Sequence, residues 1–263
     1  MTVSSRSYGA GPALILLPWF GLSGAVMAAA CEPALAESGW RRIYLDLPGT
    51  GQSPAVQPNS DAVASAVAAR IPDLAGDSRI ALAGCSYGGY ISAEVARRHP
   101  DQVAGLLMIC SGVRIRPAER DLSGVVPQPA AEPGWLDAVP AQHHEHLTQA
   151  IGCRTRAVGE RLAAGLTANG PSDELYLREL RATGYQLAAE KELSGLSVTA
   201  TVAAGRRDRI AGFRDQFQLA SGNSAADYVL FHDVGHYLPF EQPERFRALA
   251  LEWLARCRPA VQA

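Results

Sequence analysis

The chain has 263 residues, 48% of them hydrophobic and 19% charged, which is a normal balance for a globular protein and is long enough for one large α/β domain with or without an insertion. Its 24 Lys and Arg against 26 Asp and Glu give a formal net charge of -2, without any basic block. This charge, together with few aromatic residues, excludes nucleic acid and anionic membranes as expected partners.

The first hundred residues begin with short apolar runs that are typical of strands. Thr2–Tyr8 is a candidate edge strand, Ala13–Leu17 a buried strand, and Ala25–Glu37 a helix. An alternative is that the apolar run ending at Cys31 is a lipoprotein signal, with the cysteine as the acylated residue. Proline and glycine interrupt that run, and cleavage before the cysteine would remove a strand that the fold needs. We therefore favour a strand, a loop and a helix.

Apolar strand-like runs then alternate with helical patterns, which predicts βαβ units on a mostly parallel sheet flanked by helices. The further strand candidates are Ile43–Leu47, Ile80–Ala83, Leu106–Cys110, Val198–Ala203 and Tyr228–Phe231. The further helix candidates are Asp61–Leu74, Tyr87–Arg98, Phe213–Ala220 and Glu241–Arg256. The fold class indicated is α/β, with one central sheet.

The alternation stops between residues 112 and 197. A proline-rich stretch leads there into three amphipathic segments, Leu136–Ile151, Thr155–Leu166 and Asp173–Glu190. Because the sheet resumes afterwards, we interpret 112–197 as a helical cap inserted into a core made of 1–111 and 198–263. A segment inserted after a parallel strand is expected to line the substrate cavity at the carboxyl edge of the sheet.

The most specific motif lies between a predicted strand and a predicted helix, and reads Gly84-Cys85-Ser86-Tyr87-Gly88-Gly89. Such a GxSxG turn holds its serine in a strained conformation at the end of the sheet, so its neighbours must be small. The following helix directs amide groups at developing negative charge. The sequence therefore predicts Ser86 as a nucleophile, rather than an incidental serine in a glycine-rich turn.

A serine hydroxyl needs an adjacent base. His236 follows the last predicted strand, so it should lie at the same edge of the sheet as Ser86. His232 is the local alternative, at the end of the strand itself. The other histidines are interpreted as a helix C-terminal residue (His99) and as a solvated face of a cap helix (His143, His144 and His146).

The third member of a triad should follow the strand Val198–Ala203, and Asp208 stands in that loop. A carboxylate there would orient the imidazole of His236 and stabilise its protonated form. Alternatively, Asp208 pairs with a neighbouring arginine, and Asp215 or Asp233 orients the histidine.

Taken together, these residues resemble the α/β-hydrolase superfamily, in its cap-bearing branch, over nearly the whole chain. The resemblance rests on the GCSYGG elbow, on Asp208 in GRRDRI and on Gly235-His236, whose order Ser, Asp, His is that of the family. Asp46–Ser53 is similar to the family's DxxGxGxS turn, which implies that Asp46 shapes the site without doing chemistry.

The resemblance also implies an oxyanion hole of two backbone amides, those of Phe20 and Tyr87. Relatives usually carry His-Gly after the strand that corresponds to Ala13–Leu17, whereas this chain carries Pro18-Trp19. Backbone donation survives such a change, but the side chain of Trp19 is expected to reshape the pocket. Trp19, Trp135 and Leu136 are the predicted pocket residues.

The resulting expectation is a serine hydrolase that cleaves an ester, lactone or thioester of a small to medium, mainly apolar compound through an acyl-enzyme. Two alternatives stay open: hydrolysis of a carbon–carbon bond in a dienol diketone, and a ligand-binding protein that has lost catalysis. No metal or organic cofactor is expected, and the partner is a small-molecule substrate, with a homodimer left open. Five scattered cysteines without a CxxC pair favour a reduced, cytoplasmic protein.

Overall fold

The computed structural model describes residues 2–257, and within them seven strands form one sheet. The strands are β1 (Ser5–Tyr8), β2 (Ala13–Leu17), β3 (Arg41–Leu45), β4 (Ile80–Cys85), β5 (Val103–Ile109), β6 (Ala200–Gly205) and β7 (Ala226–Phe231). Their spatial order is β1-β3-β2-β4-β5-β6-β7, with β1 antiparallel at one edge and every other pairing parallel. The predicted fold class is confirmed.

Ten α-helices lie in the described part of the chain, and seven of them belong to the core that carries the sheet. They are α1 (Gly24–Leu35), α2 (Ser60–Ala68), α3 (Ile71–Ala75), α4 (Tyr87–Arg98), α5 (His144–Ala150), α6 (Arg156–Thr167), α7 (Glu174–Thr183), α8 (Arg214–Ser221), α9 (Leu238–Glu241) and α10 (Pro243–Cys257). The single helix predicted for Asp61–Leu74 is two helices, because Pro72 cannot donate a backbone hydrogen bond and its ring conflicts with the preceding turn.

The segment between β5 and β6 carries α5, α6 and α7, and none of its described residues belongs to the sheet. The helix predicted for Leu136–Ile151 is shorter in the structure. It consists of a 3-10 turn at Ala141–His143 followed by α5, because Pro140 precedes the turn and cannot lie inside a helix. Two further 3-10 segments lie between β5 and β6, one at Pro117–Glu119 and one at Glu190–Gly195, which leads back towards the sheet.

Two apolar clusters cover the two faces of the sheet, and β2 contributes alternate residues to each of them. Leu14 and Leu16 pack with α1 and α10, whereas Ile15 and Leu17 pack with α2 and α4. Burial on both faces explains why the strands are continuously apolar rather than alternating. Cys31 lies in α1 with its side chain fully buried. Among residues 2–257, no helix combines the length and apolar character needed to cross a membrane.

Candidate active site

The turn between β4 and α4 holds Ser86 in an unusual backbone conformation, with φ 54° and ψ -117°. The turn is tight enough that a Cβ at Gly84 would overlap the backbone of Gly88. A Cβ at Gly88 would in turn overlap the backbone carbonyl oxygens at the end of β2. Glycine is therefore required at both positions, and its use brings the start of α4 against the loop that follows β2.

Three side chains form a continuous hydrogen-bonded line at the carboxyl edge of the sheet. Oγ of Ser86 lies 2.8 Å from Nε2 of His236, and Nδ1 of His236 lies 2.9 Å from Oδ2 of Asp208. The other oxygen of Asp208 accepts the backbone amides of Ile210 and Ala211, at 2.8 and 2.9 Å. Asp208 is completely buried and His236 is 2% exposed, so water does not compete for these bonds.

The alternative residues lie elsewhere. The side chain of His232 is 79% exposed beside Asp233, and Asp233 itself is paired with Arg245 at 2.6 Å. Asp215 accepts the backbone amide of Asp121 at 3.0 Å. Among the described residues, the only base within 4.0 Å of Asp208 is His236, so the pairing of Asp208 with a neighbouring arginine does not occur.

A buried carboxylate fixes the loop that carries His236. Glu241, 2% exposed, accepts the backbone amides of Gly235 and Tyr237 on either side of the histidine. It also accepts the amides of Gly152 and Cys153 from the inserted segment, at 2.8 and 2.9 Å. Desolvation raises the pKa of Glu241 to about 7, although these four amide donors oppose the rise. Glu241 therefore connects the histidine loop to the segment between β5 and β6.

The loop after β2 brings Phe20 next to Tyr87, the first residue of α4. Their rings meet edge to face with centroids 5.3 Å apart. Neither backbone amide donates to a protein acceptor within residues 2–257. The first amides of a helix have no intrahelical partner, so the amide of Tyr87 is open to an external acceptor. The structure thus brings the two predicted donors together on adjoining segments.

Trp19 lies under this loop, 2% exposed, and also lines the cavity. Its indole N–H donates to the backbone carbonyl of His236 at 3.3 Å, and its ring stacks on Tyr237 at 4.9 Å. Cys85, beside Ser86, points away into the core, where burial raises the pKa of its thiol well above the usual range. It is held as a neutral thiol there.

The cavity that opens over Ser86 has a volume of about 300 Å³. Its wall includes Trp19, Phe20 and Tyr237 from the core, and a larger group from the inserted segment: Ile115, Arg116, Pro117, Arg120, His146, Arg181, Ala182, Thr183 and Tyr185. Trp135 and Leu136, which we predicted as pocket residues, do not line it. The backbone of Trp135 packs against Gly159 of α6, so the position of this tryptophan is set by helix packing instead.

Asp46 has the structural role that the sequence indicates. One carboxylate oxygen accepts the amide of Gly24 at 2.8 Å, and the other accepts the amide of Gln52 at 2.9 Å. Gly49 and Gly51 have positive φ angles of 77° and 56°, which glycine adopts without strain. A Cβ on Gly51 would overlap the Asp46 carboxylate. The turn therefore supports the start of α1 and does not reach the cavity.

Sequence reasoning missed the polar residues in the cavity wall. His146 was interpreted as part of a solvated face, but its Nε2 lies 3.1 Å from the hydroxyl of Tyr237, and desolvation lowers the pKa of His146 to about 4. No motif in the sequence points to the other polar wall residues, which are Arg116, Arg120 and Arg181. They stand in loops or on α7, where no motif signals which side of the chain meets the cavity.

Comparison with known proteins places these features in context. The model of the family described as "alpha/beta hydrolase fold" matches residues 12–243. A pimeloyl-[acyl-carrier protein] methyl ester esterase of Aeromonas hydrophila is 37% identical over 114 residues, which are 42% of this chain and 42% of that esterase. The match thus spans less than half the length of that relative.

Two further proteins match over most of the chain. A 2-hydroxy-6-oxononadienedioate/2-hydroxy-6-oxononatrienedioate hydrolase of Burkholderia vietnamiensis is 28% identical over 85% of this chain and 79% of its own length. The crystal structure of an alpha/beta superfamily hydrolase from Oenococcus oeni PSU-1 superposes with a TM-score of 0.85 at 23% identity, covering 97% of this chain and 96% of that one. At this identity the superposition supports the fold alone.

Proposed function

The chain belongs to the alpha/beta hydrolase fold family, and on this basis we propose that it is a serine hydrolase that cleaves an ester, lactone or thioester of a small molecule. The observation that carries the proposal is the line of hydrogen bonds from Ser86 through His236 to Asp208, with Ser86 and His236 in the wall of a cavity of about 300 Å³. The similarity to a methyl ester esterase supports this class of substrate.

The proposed reaction begins when Oγ of Ser86 attacks the substrate carbonyl while Nε2 of His236 takes its proton. Asp208 accepts a hydrogen bond from Nδ1 and stabilises the imidazolium that forms. Amides of Phe20 and Tyr87 would donate to the oxyanion of the tetrahedral intermediate. His236 then gives its proton to the leaving alcohol or thiol, and the same steps with water release the acid from the acyl-enzyme.

In this proposal the segment 112–197 acts as a cap. Residues from it form much of the cavity wall over Ser86, and its backbone donates to Glu241 beside the histidine loop. A cap of this kind limits the access of water and restricts the size of the substrate. The chain's own side chains supply the nucleophile and the base, and its backbone amides supply the oxyanion donors, so the proposed mechanism uses no cofactor.

Carbon–carbon bond hydrolysis is the second candidate, favoured by the similarity to the Burkholderia vietnamiensis enzyme over 85% of the chain. Ester hydrolysis and carbon–carbon hydrolysis of a dienol diketone can use the same three residues, so the geometry does not separate them. Measured kcat/KM values for a panel of para-nitrophenyl esters, thioesters, lactones and one dienol diketone would do so. A dienol diketone turned over at least a hundredfold faster than every ester would reverse the ranking.

The experiment that tests the proposal itself is labelling with a fluorophosphonate. We expect one adduct, on Ser86, and parallel loss of ester hydrolysis. The variant Ser86→Ala should take no label, and the matched variant Ser92→Ala, at a buried serine of α4, should be labelled like the original protein. Folded protein that stays unlabelled and hydrolyses nothing in the panel would indicate a ligand-binding protein instead.

A further inference from the structure

The wall of the cavity over Ser86 carries an unbalanced positive charge. Three arginines line it, Arg116, Arg120 and Arg181, whereas none of the described residues in the wall is an aspartate or glutamate. The chain as a whole has a net charge of -2, so this concentration is local and does not follow from the overall composition. A cavity lined by one sign of charge favours a ligand of the opposite sign.

One of the three charges is held rigidly. The guanidinium of Arg120 donates to three backbone carbonyls: Nη1 to Ile210 at 2.7 Å, Nε to Arg114 at 3.2 Å, and Nη2 to Ile115. Within residues 2–257 no carboxylate lies within 4.0 Å of it. Carbonyl oxygens orient the guanidinium without neutralising it, so Arg120 presents a fixed positive charge to the cavity.

Arg181 provides a second charge without a carboxylate partner in the described part of the chain. Its guanidinium lies 4.2 Å from the ring centroid of Phe20, which orients it by a cation–π contact. Arg116 differs, because Glu119 lies 3.6 Å away and offsets part of its charge. The unpaired charges in the wall are therefore those of Arg120 and Arg181.

The two unpaired arginines line the same cavity as Tyr185, and the guanidinium of Arg181 lies 5.9 Å from the centroid of the Tyr185 ring. Burial raises the pKa of Tyr185, and Arg181 and Arg120 both oppose that rise, because each favours a negative charge on the phenol oxygen. The ring of Tyr185 also meets Phe20 edge to face, with centroids 5.3 Å apart. This part of the wall therefore combines the aromatic rings of Phe20 and Tyr185 with two guanidiniums that have no carboxylate partner in the described part of the chain.

From this arrangement we propose that the substrate carries a carboxylate, bound by Arg181 and Arg120 while its ester group lies at Ser86. The proposal rests on the proposed serine hydrolase function. It narrows the substrate class to esters whose acyl part or alcohol part carries a negatively charged group. Guanidinium and carboxylate match in shape and charge, so they form paired hydrogen bonds. The apolar residues of the wall would contact the chain between the carboxylate and the ester.

The test compares charged and neutral substrates of equal length. The para-nitrophenyl hemiesters of succinate, glutarate and adipate carry a free carboxylate on the acyl side, and para-nitrophenyl butyrate, pentanoate and hexanoate are their neutral counterparts. On the alcohol side, 3-acetoxypropanoate is compared with propyl acetate by acid release. We expect kcat/KM for at least one charged substrate to exceed that of its counterpart about tenfold, mainly through a lower KM.

The arginine variants assign the preference to residues. Arg181→Gln should lower the ratio of charged to neutral kcat/KM several-fold, since Arg120 still contacts the carboxylate, and Arg181→Lys should retain more of the ratio because the charge remains. The matched control is Arg178→Gln, which removes an exposed arginine of the same helix that does not line the cavity. Its ratio should equal that of the original protein. Added NaCl should reduce the preference, since Arg181 is exposed to solvent.

The outcomes separate this inference from the function on which it rests. Hydrolysis of the neutral esters with no charged ester preferred on either side would overturn the carboxylate proposal and leave the serine hydrolase intact. Equal ratios in Arg181→Gln and Arg178→Gln would also overturn it. Failure to hydrolyse any ester, together with failure to label Ser86, would instead refute the hydrolase function.

Discussion

The indole N–H of Trp19 donates to the backbone carbonyl of His236, 217 residues away in the chain. The bond joins the loop that carries one proposed oxyanion donor to the loop that carries the proposed base. The stacking of Trp19 on Tyr237 reinforces it, with the ring planes 15° apart. Trp19 is therefore a structural link between two parts of the site, as well as a wall of the cavity.

Replacing Trp19 by Phe should preserve part of the stacking and remove the hydrogen bond. We expect kcat for a good ester substrate to fall about five- to tenfold, because the His236 loop loses one of its supports. The free energy of unfolding should fall by about 2 kcal/mol, from the lost bond and lost packing. Both are measured on the purified protein, by steady-state kinetics and by urea denaturation.

Trp40→Phe is the control for this substitution. Trp40 is equally buried, but its indole nitrogen has no hydrogen-bond partner among residues 2–257 and it does not line the cavity. The Trp40→Phe variant should lose about as much free energy of unfolding as Trp19→Phe, while its kcat stays unchanged. Equal effects of the two substitutions on kcat would show that general packing, and not the link to His236, explains the result.

The nucleophile is tested by paired substitutions at neighbouring positions. Ser86→Ala should reduce kcat by about a million-fold without unfolding the protein, since nothing else in the cavity can take over the attack. Cys85→Ala should remain active, because the thiol is buried and stays protonated. A folded but inactive Cys85→Ala variant would contradict the assignment, as would Ser86→Ala with more than a few per cent of the original rate.

Asp208→Asn should lower kcat by about three to four orders of magnitude, because an amide can donate to Nδ1 and hold His236 in the wrong tautomer. Asp215→Asn and Asp233→Asn should have much smaller effects, since neither carboxylate contacts His236. Circular dichroism checks that all three variants fold. An active Asp208→Asn variant beside an inactive Asp233→Asn variant would transfer the role to Asp233.

The parts of the structure that the sequence predicts well depend on local chemistry. Apolar runs bounded by turns give the strands, because burial on both faces of a parallel sheet requires continuous hydrophobicity. The elbow is found because its backbone geometry demands Gly84 and Gly88 around the serine. His236 and Asp208 follow from topology, since the loops after parallel strands meet at one edge.

The cavity wall could not be predicted in the same way. Arg181 stands on α7 among other charged residues, and its side chain meets the cavity only because of how the inserted segment packs on the core. Trp135 is a candidate wall residue because it lies in the inserted segment, yet its backbone packs against Gly159 of α6 and it does not line the cavity over Ser86. Side-chain direction in an irregular insertion is set by long-range contacts, which leave no periodic pattern.

Glu241 should make stability depend on pH in an unusual direction. Burial raises its pKa from 4.5 to about 7, so between these values the folded protein binds a proton that the unfolded chain does not. Stability from this group is therefore full below about pH 4.5 and is lost as the pH rises through 7. Relative to Glu241→Gln, the original protein should lose about 2 to 3 kcal/mol of stability between pH 5 and pH 8.

Urea denaturation of both proteins at several pH values measures this difference. Glu244→Gln, an exposed substitution near the start of α10, is the control and should show no such trend. Glu241→Gln should also lower kcat. In the original protein several backbone N–H groups donate to the carboxylate of Glu241, and in the variant the side-chain NH2 group of glutamine would face some of these donors. A constant difference in stability from pH 5 to pH 8 would show that Glu241 is ionised throughout this range.

The oxyanion donors are tested by a phosphonate adduct on Ser86, whose oxygen occupies the place of the tetrahedral oxyanion. Pro18 has no amide hydrogen, so the loop after β2 must donate from a later residue, and the amide of Phe20 has no protein acceptor within residues 2–257. The glycine at position 88 lets α4 approach this loop, which places the amide of Tyr87 on the adjoining segment. In a crystal structure of the adduct, we expect the phosphonate oxygen about 2.7–3.1 Å from both amide nitrogens. An oxygen that contacts Tyr87 but lies beyond 3.5 Å from the nitrogen of Phe20 would refute the pairing, because hydrogen-bond stabilisation is negligible at that separation.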